Sequence, residues 1–182
     1  MPSPDTAVVA QSADHATDGR ASLGWREWVA LPGLGIGAIK AKLDSGARSS
    51  SLHVEAIETF DQGGVAHVRF QVRLRRRGGA VVACTAPVLD RRIVTDSGGH
   101  RSERWFIGVE LEIARQRFST EMNLTDRRAM LFPLLLGRSA LGGRFRIDPA
   151  LSYSCPRPPR TTSPRIRACS GAFNKPLIRA CL

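Results

Sequence analysis

Long apolar runs are missing from this sequence of 182 residues. The uncharged apolar run from Ala129 to Gly137 has nine residues and is too short to cross a bilayer as a helix. The first twenty residues contain three aspartates and no apolar block, which argues against a secretory signal. We therefore expect a cytoplasmic protein with no membrane partner.

The sequence also lacks the residue spacings that are typical of metal and nucleotide-phosphate sites. None of the four cysteines pairs at zinc-finger spacing, and none of the four histidines pairs at ligand spacing. The glycine-rich stretch Gly33–Gly37 precedes an alternating strand instead of a helix, and no Gly-Lys-Ser/Thr sequence is present. We therefore expect no cofactor, with neither zinc nor ATP bound, and free thiols.

Charge of one sign dominates the C-terminal part of the chain. The net charge is +11, and residues 154–182 contain six basic residues and no acidic one. This segment has five prolines and a single aromatic residue, Phe173, so it lacks the interleaved aromatics of a base-stacking surface and a nucleic-acid partner is not expected. Residues 1–24 likewise show no regular spacing of apolar residues. The pattern predicts disordered segments at 1–24 and 154–182 around one domain at 25–153.

Apolar and polar residues alternate in the middle of the chain, as they do in half-buried strands. The alternation covers residues 39–43, 68–75 and 105–113, and after a break at 114–116 it returns over 118–124 as a hairpin would. Glycine and proline separate these runs, and only residues 134–141 suit a helix. The sequence therefore predicts an all-β sandwich or barrel.

One tight turn follows the first of these strands and presents a carboxylate. Asp44 comes directly after an alternating strand, and a hydroxyl residue and two small residues follow it as Ser45, Gly46 and Ala47. Glycine permits a sharp backbone path and a close approach by a substrate or a second chain. Asp-Ser-Gly is also a common turn sequence, so the tripeptide alone does not identify a catalytic site.

A second element downstream makes the turn more specific. An apolar run ends in Gly-Arg at Leu134–Arg138. The pair resembles the Asp-Thr/Ser-Gly-Ala turn and the hydrophobic-hydrophobic-Gly segment of retropepsin-like aspartic proteases. The blocks at 40–53, 123–138 and 145–149 are similar to a bacterial and archaeal retropepsin-like family historically labelled putative ATP-dependent zinc proteases.

This resemblance implies a fold and a catalytic group. The fold is an acid-protease barrel with one lobe per chain and one short helix after the Leu134–Arg138 segment. Asp44 is the implied catalytic residue, and it forms its dyad with the same residue of a second copy in a homodimer. The segment implied to support the turn consists of Leu135, Leu136, Gly137 and Arg138.

Arg48 departs from the retroviral enzymes, in which an acid at this place pairs with the arginine after the later glycine. Arg138 then needs another partner, for which Asp126, Asp148 or a carboxylate of the second chain are candidates. Arg48 either binds a substrate carboxylate or is an ordinary surface arginine.

Substrate binding is assigned on the same basis. Candidate residues are Arg48, His53 and Arg127. Members of the resembled family often accompany glutamate ligases that add glutamate tails to a ribosomal protein. An acidic or glutamate-tailed peptide is therefore the expected substrate, and it would suit the basic domain.

A second Asp-Ser-Gly sequence begins at Asp96 and raises the alternative of a dyad within one chain. Only 52 residues separate the two aspartates, too few for a complete lobe between them. Ser97, Gly98 and Gly99 are instead predicted to form a hairpin tip that serves as a flap over the cleft. Two other functions stay open: a non-catalytic module that binds acidic peptides or RNA, and a metal-dependent peptidase.

Overall fold

The computed structural model describes residues 19–75, 78–96, 98–126 and 131–158, and these form a sheet-rich domain. The strands and the one helix of the described residues are β1 (Ala21–Gly24), β2 (Arg26–Leu31), β3 (Ile36–Leu43), β4 (Ser50–His53), β5 (Glu55–Gln62), β6 (Val65–Arg73), β7 (Val81–Thr95), β8 (Arg101–Ile113), β9 (Gln116–Thr125), β10 (Leu134–Leu136), α1 (Arg138–Leu141) and β11 (Phe145–Asp148).

The main sheet closes on itself as a barrel. Its strands follow the order β2-β3-β10-β4-β9-β8-β7-β6-β5, and β2 also pairs with β8 through Ala30 and Glu112. Strands β1 and β11 form a separate parallel pair. The predicted all-β fold with a short helix after the Leu134–Arg138 segment is confirmed.

The core forms where the sequence alternation predicted it. In β6 the side chains of Val68, Phe70 and Val72 are completely buried, while Arg69 between them is exposed. Strand β8 likewise directs Ile107, Val109, Leu111 and Ile113 into the core. Burial of such apolar faces supplies most of the favourable free energy of folding.

Two hairpins shape the rest of the sheet. Strands β8 and β9 meet at a two-residue turn formed by Ala114 and Arg115, as predicted from the break at this position. Strands β7 and β8 form a longer hairpin whose arm beyond Pro87 is mostly exposed. The sequence pattern did not predict β7. Beyond Pro87 neither face of this strand packs against the core, so apolar and polar residues do not alternate there.

The described structure continues past both predicted domain boundaries, while residues 1–18 and 159–182 of the segments predicted to be disordered lie outside the described residues. Residues Ala21–Gly24 form β1, although they lie in the segment predicted to be disordered. At the other end, the backbone N–H groups of Ser154 and Cys155 donate to the buried carboxylate of Glu27 at 2.9 and 3.3 Å. The Ser154 hydroxyl donates to the same carboxylate. The folded domain therefore extends beyond 25–153 in both directions.

Strand β10 lies between the two strands that flank the Asp44 turn. It runs parallel to β3, with Leu136 opposite Leu43, and antiparallel to β4, with Leu135 opposite Ser51. The apolar run at 134–141 is thus a short strand followed by a single helical turn. No helix within the described ranges has the length and apolarity needed to span a membrane.

Candidate active site

The Asp44 turn is held by backbone hydrogen bonds on both sides. The Asp44 N–H donates to the carbonyl of Leu136 at 2.8 Å, which attaches the start of the turn to β10. The Gly46 N–H donates to Oδ1 of Asp44 at 3.0 Å, and the Ala47 N–H donates to the Asp44 carbonyl at 3.3 Å. These contacts fix the direction of the carboxylate relative to the sheet.

Gly137 is the point of closest approach between the two motifs. A Cβ at this position would lie 2.6 Å from both the carbonyl carbon and the carbonyl oxygen of Ser49, so only glycine fits. The Gly137 N–H donates to the hydroxyl of Ser50 at 3.1 Å. The N–H groups of Arg138 and Ser139 then donate to the carbonyls of Ala47 and Arg48. The hydrophobic-hydrophobic-Gly segment therefore braces the turn directly.

Arg138 binds backbone carbonyl groups of the Asp44 turn. Its Nη1 atom donates to the carbonyl oxygens of Ser45 and Gly46 at 2.8 and 3.1 Å. Within the described part of this chain, these contacts take the place of an ion pair with Asp126 or Asp148, and the pairing with a second chain stays a prediction. The guanidinium thereby holds the tip of the Asp44 turn from the side of α1.

A cleft of about 890 Å³ opens over the turn. Its apolar walls come from Trp25, Val94, Leu131, Phe132 and Leu135. Among the described residues that line it, four carry basic side chains and two carry acidic ones; they are Lys42, Arg48, Arg104 and Arg138, with Asp44 and Asp96. The cleft therefore combines apolar walls with an excess of positive charge.

The Asp44 carboxylate is accessible from the cleft. Its side chain is 28% exposed, and Oδ2 lies 3.7 Å from the ammonium group of Lys42. Lys42 is itself half-exposed, so solvent screens this ion pair and it contributes little to stability. The carboxylate is fixed through Oδ1 and remains open to a ligand through its other oxygen.

The hairpin predicted to be a flap continues from the wall of the cleft, although Gly98 and Gly99 are not among the residues that line it. Val94, Thr95 and Asp96 line the cleft at the end of β7, and Gly98 and Gly99 form the hairpin tip. The N–H groups of Gly98 and His100 donate to Oδ1 of Asp96 at 2.9 and 3.1 Å. The second Asp-Ser-Gly sequence therefore closes its own turn. Ser97, the other predicted flap residue, lies outside the described residues.

The three residues predicted to bind substrate differ in their position relative to the cleft. Arg48 is exposed and lines the cleft. His53 does not line it: the ring Nδ1 lies 3.3 Å from the carbonyl of Thr125, and the backbone N–H donates to Pro133. Arg127 lies outside the described residues. Over the described ranges, the His, Cys, Asp and Glu side chains form no group of three or more that could hold a metal ion.

Sequence reasoning missed Arg104 in the cleft wall. Arg104 lines the cleft although its side chain is only 7% exposed, and Nη1 donates to Oδ1 of Asn123 at 3.2 Å. Arg104 sits at the opposite parity from the core-facing residues of β8, so the alternation marked it as a solvated position. The sequence signal for this contact is the block that starts at Asn123, whose resemblance to the family implies no separate role for Asn123.

Curated relatives match most of this domain. A protein named probable alpha-L-glutamate ligase from Desulfotalea psychrophila is 44% identical over 132 residues, which cover 71% of this chain and 28% of that protein. A protein of the same name from Shewanella pealeana is 34% identical over 138 residues, 75% of this chain and 30% of the relative. The chain thus spans less than a third of the length of these relatives.

A solved structure and a family model match the same region. The crystal structure of Lpg0085, a Legionella pneumophila protein of unknown function, superposes with a TM-score of 0.62 at 27% identity, covering 74% of this chain and 97% of that one. The family model described as retropepsin-like aspartic endopeptidase RimB matches residues 22–158. The match also includes β1 and the segment bound to Glu27. The resemblance drawn from the Asp44 turn is therefore confirmed, and the chain belongs to the RimB-like family of retropepsin-like aspartic endopeptidases.

Proposed function

We propose that this chain is an aspartic endopeptidase that acts as a homodimer, with Asp44 of each copy forming the catalytic dyad. The observation that carries the proposal is the Asp44 turn, in which a braced carboxylate with one accessible oxygen faces a peptide-sized cleft. Membership of an aspartic endopeptidase family supports the same chemistry. Among the described residues, the Asp44 turn is the one braced by a hydrophobic-hydrophobic-Gly segment, so we assign the second aspartate of the dyad to another copy on a two-fold axis.

The dyad would divide the work of hydrolysis between two equivalent groups. Two carboxylates about 3 Å apart cannot both ionise, so they share one proton. The ionised Asp44 takes a proton from a water molecule as its oxygen attacks the scissile carbonyl carbon. The protonated Asp44 gives its proton to the carbonyl oxygen, which yields a tetrahedral diol. Proton transfer to the amide nitrogen then lets the C–N bond break and releases both products.

We propose an acidic, glutamate-rich peptide as the substrate class. The excess of basic side chains in the cleft favours such a ligand electrostatically. The relatives named probable alpha-L-glutamate ligase support a connection to glutamate. That name describes proteins more than three times as long as the matched region, so ligation itself need not reside in this domain.

A peptidase assay tests the proposal directly. Fluorogenic peptides with glutamate tails and peptides of mixed sequence are incubated with the wild type and the Asp44→Asn variant across the acid and neutral pH range. We expect cleavage by the wild type and its loss in Asp44→Asn, with folding unchanged by circular dichroism. Asp61→Asn is the matched control, because Asp61 accepts from Gly64 in a hairpin turn outside the cleft.

The alternatives predict other results in the same assay. Salt-sensitive binding of acidic peptides without products, indifferent to Asp44→Asn, would identify a binding module. Loss of activity on chelation would identify a metal-dependent peptidase. Complete loss of activity in Asp96→Asn, with Asp44→Asn still active, would contradict the assignment of the dyad to Asp44.

A further inference from the structure

One outer face of the barrel, beside the Asp44 cleft, stacks basic side chains on aromatic rings. Strands β2 and β3 form this face, with Arg26 opposite Lys42 and Trp28 opposite Lys40, and residues that follow β11 contact it. The cation–aromatic stack consists of three cations and three rings, which are Arg26, Lys40 and Arg157 with Trp25, Trp28 and Tyr153.

Cations and rings alternate along the stack. The guanidinium of Arg26 lies 4.5 Å from the centre of the Trp25 ring and 5.0 Å from that of Tyr153. The ammonium group of Lys40 lies 5.3 Å from the centre of Trp28 and 5.4 Å from that of Tyr153. Contacts of this length are favourable cation–π interactions, and they leave the positive charge in place because a ring carries no net charge.

Arg157 adds the third cation of the stack. Its guanidinium lies 4.4 Å from the centre of the Trp28 ring. Pro158 restricts the backbone of Arg157 to extended conformations, and Pro156 fixes the residue before it. Arg157 and Lys40 are both exposed, so their charged groups are within reach of a ligand.

No carboxylate of the described ranges neutralises these cations. Arg26, Lys40 and Arg157 contact rings, and none of them forms an ion pair with a described acidic residue. Elsewhere on the surface an arginine such as Arg92 pairs with the carboxylate of Glu121 at 2.8 Å. The stack is therefore a local concentration of uncompensated positive charge, which favours an anionic ligand.

Stability alone does not explain the stack. Tyr153 has a φ of 52°, in the left-handed region that disfavours bulky residues, and its N–H donates to the Arg26 carbonyl at 2.8 Å. The Nε atom of Arg26 is buried and has no hydrogen-bond partner among the described residues, although buried polar atoms normally have one. Backbone strain of this kind is concentrated at functional sites.

The stack continues from the cleft. Trp25 and Lys42 line the cleft, and the Trp25 carbonyl accepts the N–H of Leu43, the residue before Asp44, at 2.9 Å. Lys42 and Lys40 are two residues apart on the same face of β3, a rise of about 7 Å. Side chains on one face of an extended peptide repeat at the same interval. Alternate acidic residues of a peptide that leaves the cleft along β3 would therefore meet both ammonium groups.

We propose that the cation–aromatic stack is a second binding surface, which holds the acidic segment of a substrate that extends beyond the cleft. This inference rests on the proposed peptidase function and adds the place at which a long acidic segment binds. Carboxylates accept charge-assisted hydrogen bonds from the exposed ammonium and guanidinium groups. Single-stranded nucleic acid fits less well, because bases stack on open rings and cations already lie over Trp28 and Tyr153.

Peptides with acidic extensions of increasing length test the proposal. A fluorogenic substrate is extended with glutamates or with glutamines on either side of the scissile bond, and kcat and KM are measured for the wild type and the double variant Lys40→Met, Arg157→Met. We expect the glutamate extension on one side to raise kcat/KM through KM by about threefold to tenfold at low salt, the effect of a few exposed ion pairs. The double variant should lose most of this gain.

Arg144→Met is the matched control. Arg144 is an exposed arginine whose guanidinium lies 4.6 Å from the centre of the Phe118 ring, and it is not among the residues that line the cleft. This variant should keep the gain in full. Equal gains from glutamate and glutamine extensions, or a gain that the double variant keeps, would overturn the proposal.

Binding measurements separate this inference from the proposed activity. Fluorescence anisotropy in the Asp44→Asn background compares short and extended glutamate peptides with and without Lys40→Met and Arg157→Met. Affinity that rises with length only when both cations are present, beside a wild type that yields no products, would reject the peptidase and retain the stack. Cleavage with no dependence on length would retain the peptidase and reject the stack. A single-stranded oligonucleotide of equal charge that binds more tightly than the peptide, and loses this affinity in the double variant, would also overturn the proposal.

Discussion

Gly137 lies against the backbone of Ser49 so closely that a Cβ on residue 137 would be 2.6 Å from the Ser49 carbonyl carbon. The contact joins α1 and β10 to the segment that follows the Asp44 turn. Gly137→Ala must therefore displace backbone, which costs about 1–3 kcal/mol as overpacking does. We expect a lower urea midpoint and a lower kcat, because the turn moves with its support.

Gly33→Ala is the matched control for this change. Gly33 has no atom within 4 Å of the position that a Cβ would take. Its substitution should change the free energy of unfolding by less than about 0.5 kcal/mol, as is usual for an open surface site. A Gly137→Ala variant as stable and active as Gly33→Ala would show that the close contact does not brace the turn.

Glu27 is predicted to connect the two ends of the domain. Its buried carboxylate accepts N–H groups from Gly24 at 2.8 Å and from Ser154 and Cys155. Glu27→Ala leaves several donors without an acceptor and should lower the free energy of unfolding by roughly 2–4 kcal/mol. Urea denaturation measures this loss. Glu58→Ala, which removes an exposed ion pair with Arg69, should cost far less.

The Cys84 thiol is predicted to make stability fall at alkaline pH. Burial raises the pKa of Cys84 to about 12, whereas a thiol in an unfolded chain has a pKa near about 8.5. Between these values the unfolded chain loses a proton that the folded chain keeps, so stability falls as pH rises, on the order of 1 kcal/mol per pH unit. Comparing Cys84→Ala with the wild type at several pH values isolates this slope.

Chemical labelling provides an independent test of the same thiol. At pH 8 the folded protein should leave Cys84 unmodified by iodoacetamide, because the thiolate is the reactive form and burial disfavours it. After unfolding in urea, the peptide containing Cys84 should be labelled, as mass spectrometry would show. Rapid labelling of Cys84 in the folded protein would contradict its burial.

The turn between β8 and β9 is predicted to carry removable strain. Ala114 and Arg115 have φ values of 51° and 61°, and this left-handed region disfavours residues other than glycine or asparagine. Replacing the pair with Asn-Gly should stabilise the protein by about 1 kcal/mol, since this dipeptide suits such turns. Thermal unfolding measures the gain. Gly63 and Gly64 also have positive φ values, so replacing them with Ala and Arg should destabilise the protein.

The sequence predicted those parts of the fold in which one strand face is buried. Strands β6, β8 and β9 alternate because Phe70, Leu111 and Met122 face the core, so their period could be read directly. Strand β7 was missed because most of its side chains face solvent on both sides. Strand β1 escaped detection because its four residues are too few for a period to be visible.

The candidate site could likewise be predicted from the sequence only in part. The turn at Asp44 and the segment ending at Gly137 could be found because glycines and small residues are confined by backbone contacts. The partners of Arg138 could not be found, because they are carbonyl groups that any residue type supplies. Arg104 was overlooked because its burial depends on Asn123 of the neighbouring strand, a contact between positions far apart in the chain.

The dyad shared between two copies is tested most directly by mixing wild-type subunits with Asp44→Asn subunits. If each active site needs Asp44 from two copies, only dimers of two wild-type chains are active. An equal mixture, after subunit exchange, should then keep about a quarter of the activity of wild type at the same total concentration. Retention of about half, the result expected if each chain works alone, would contradict the shared dyad.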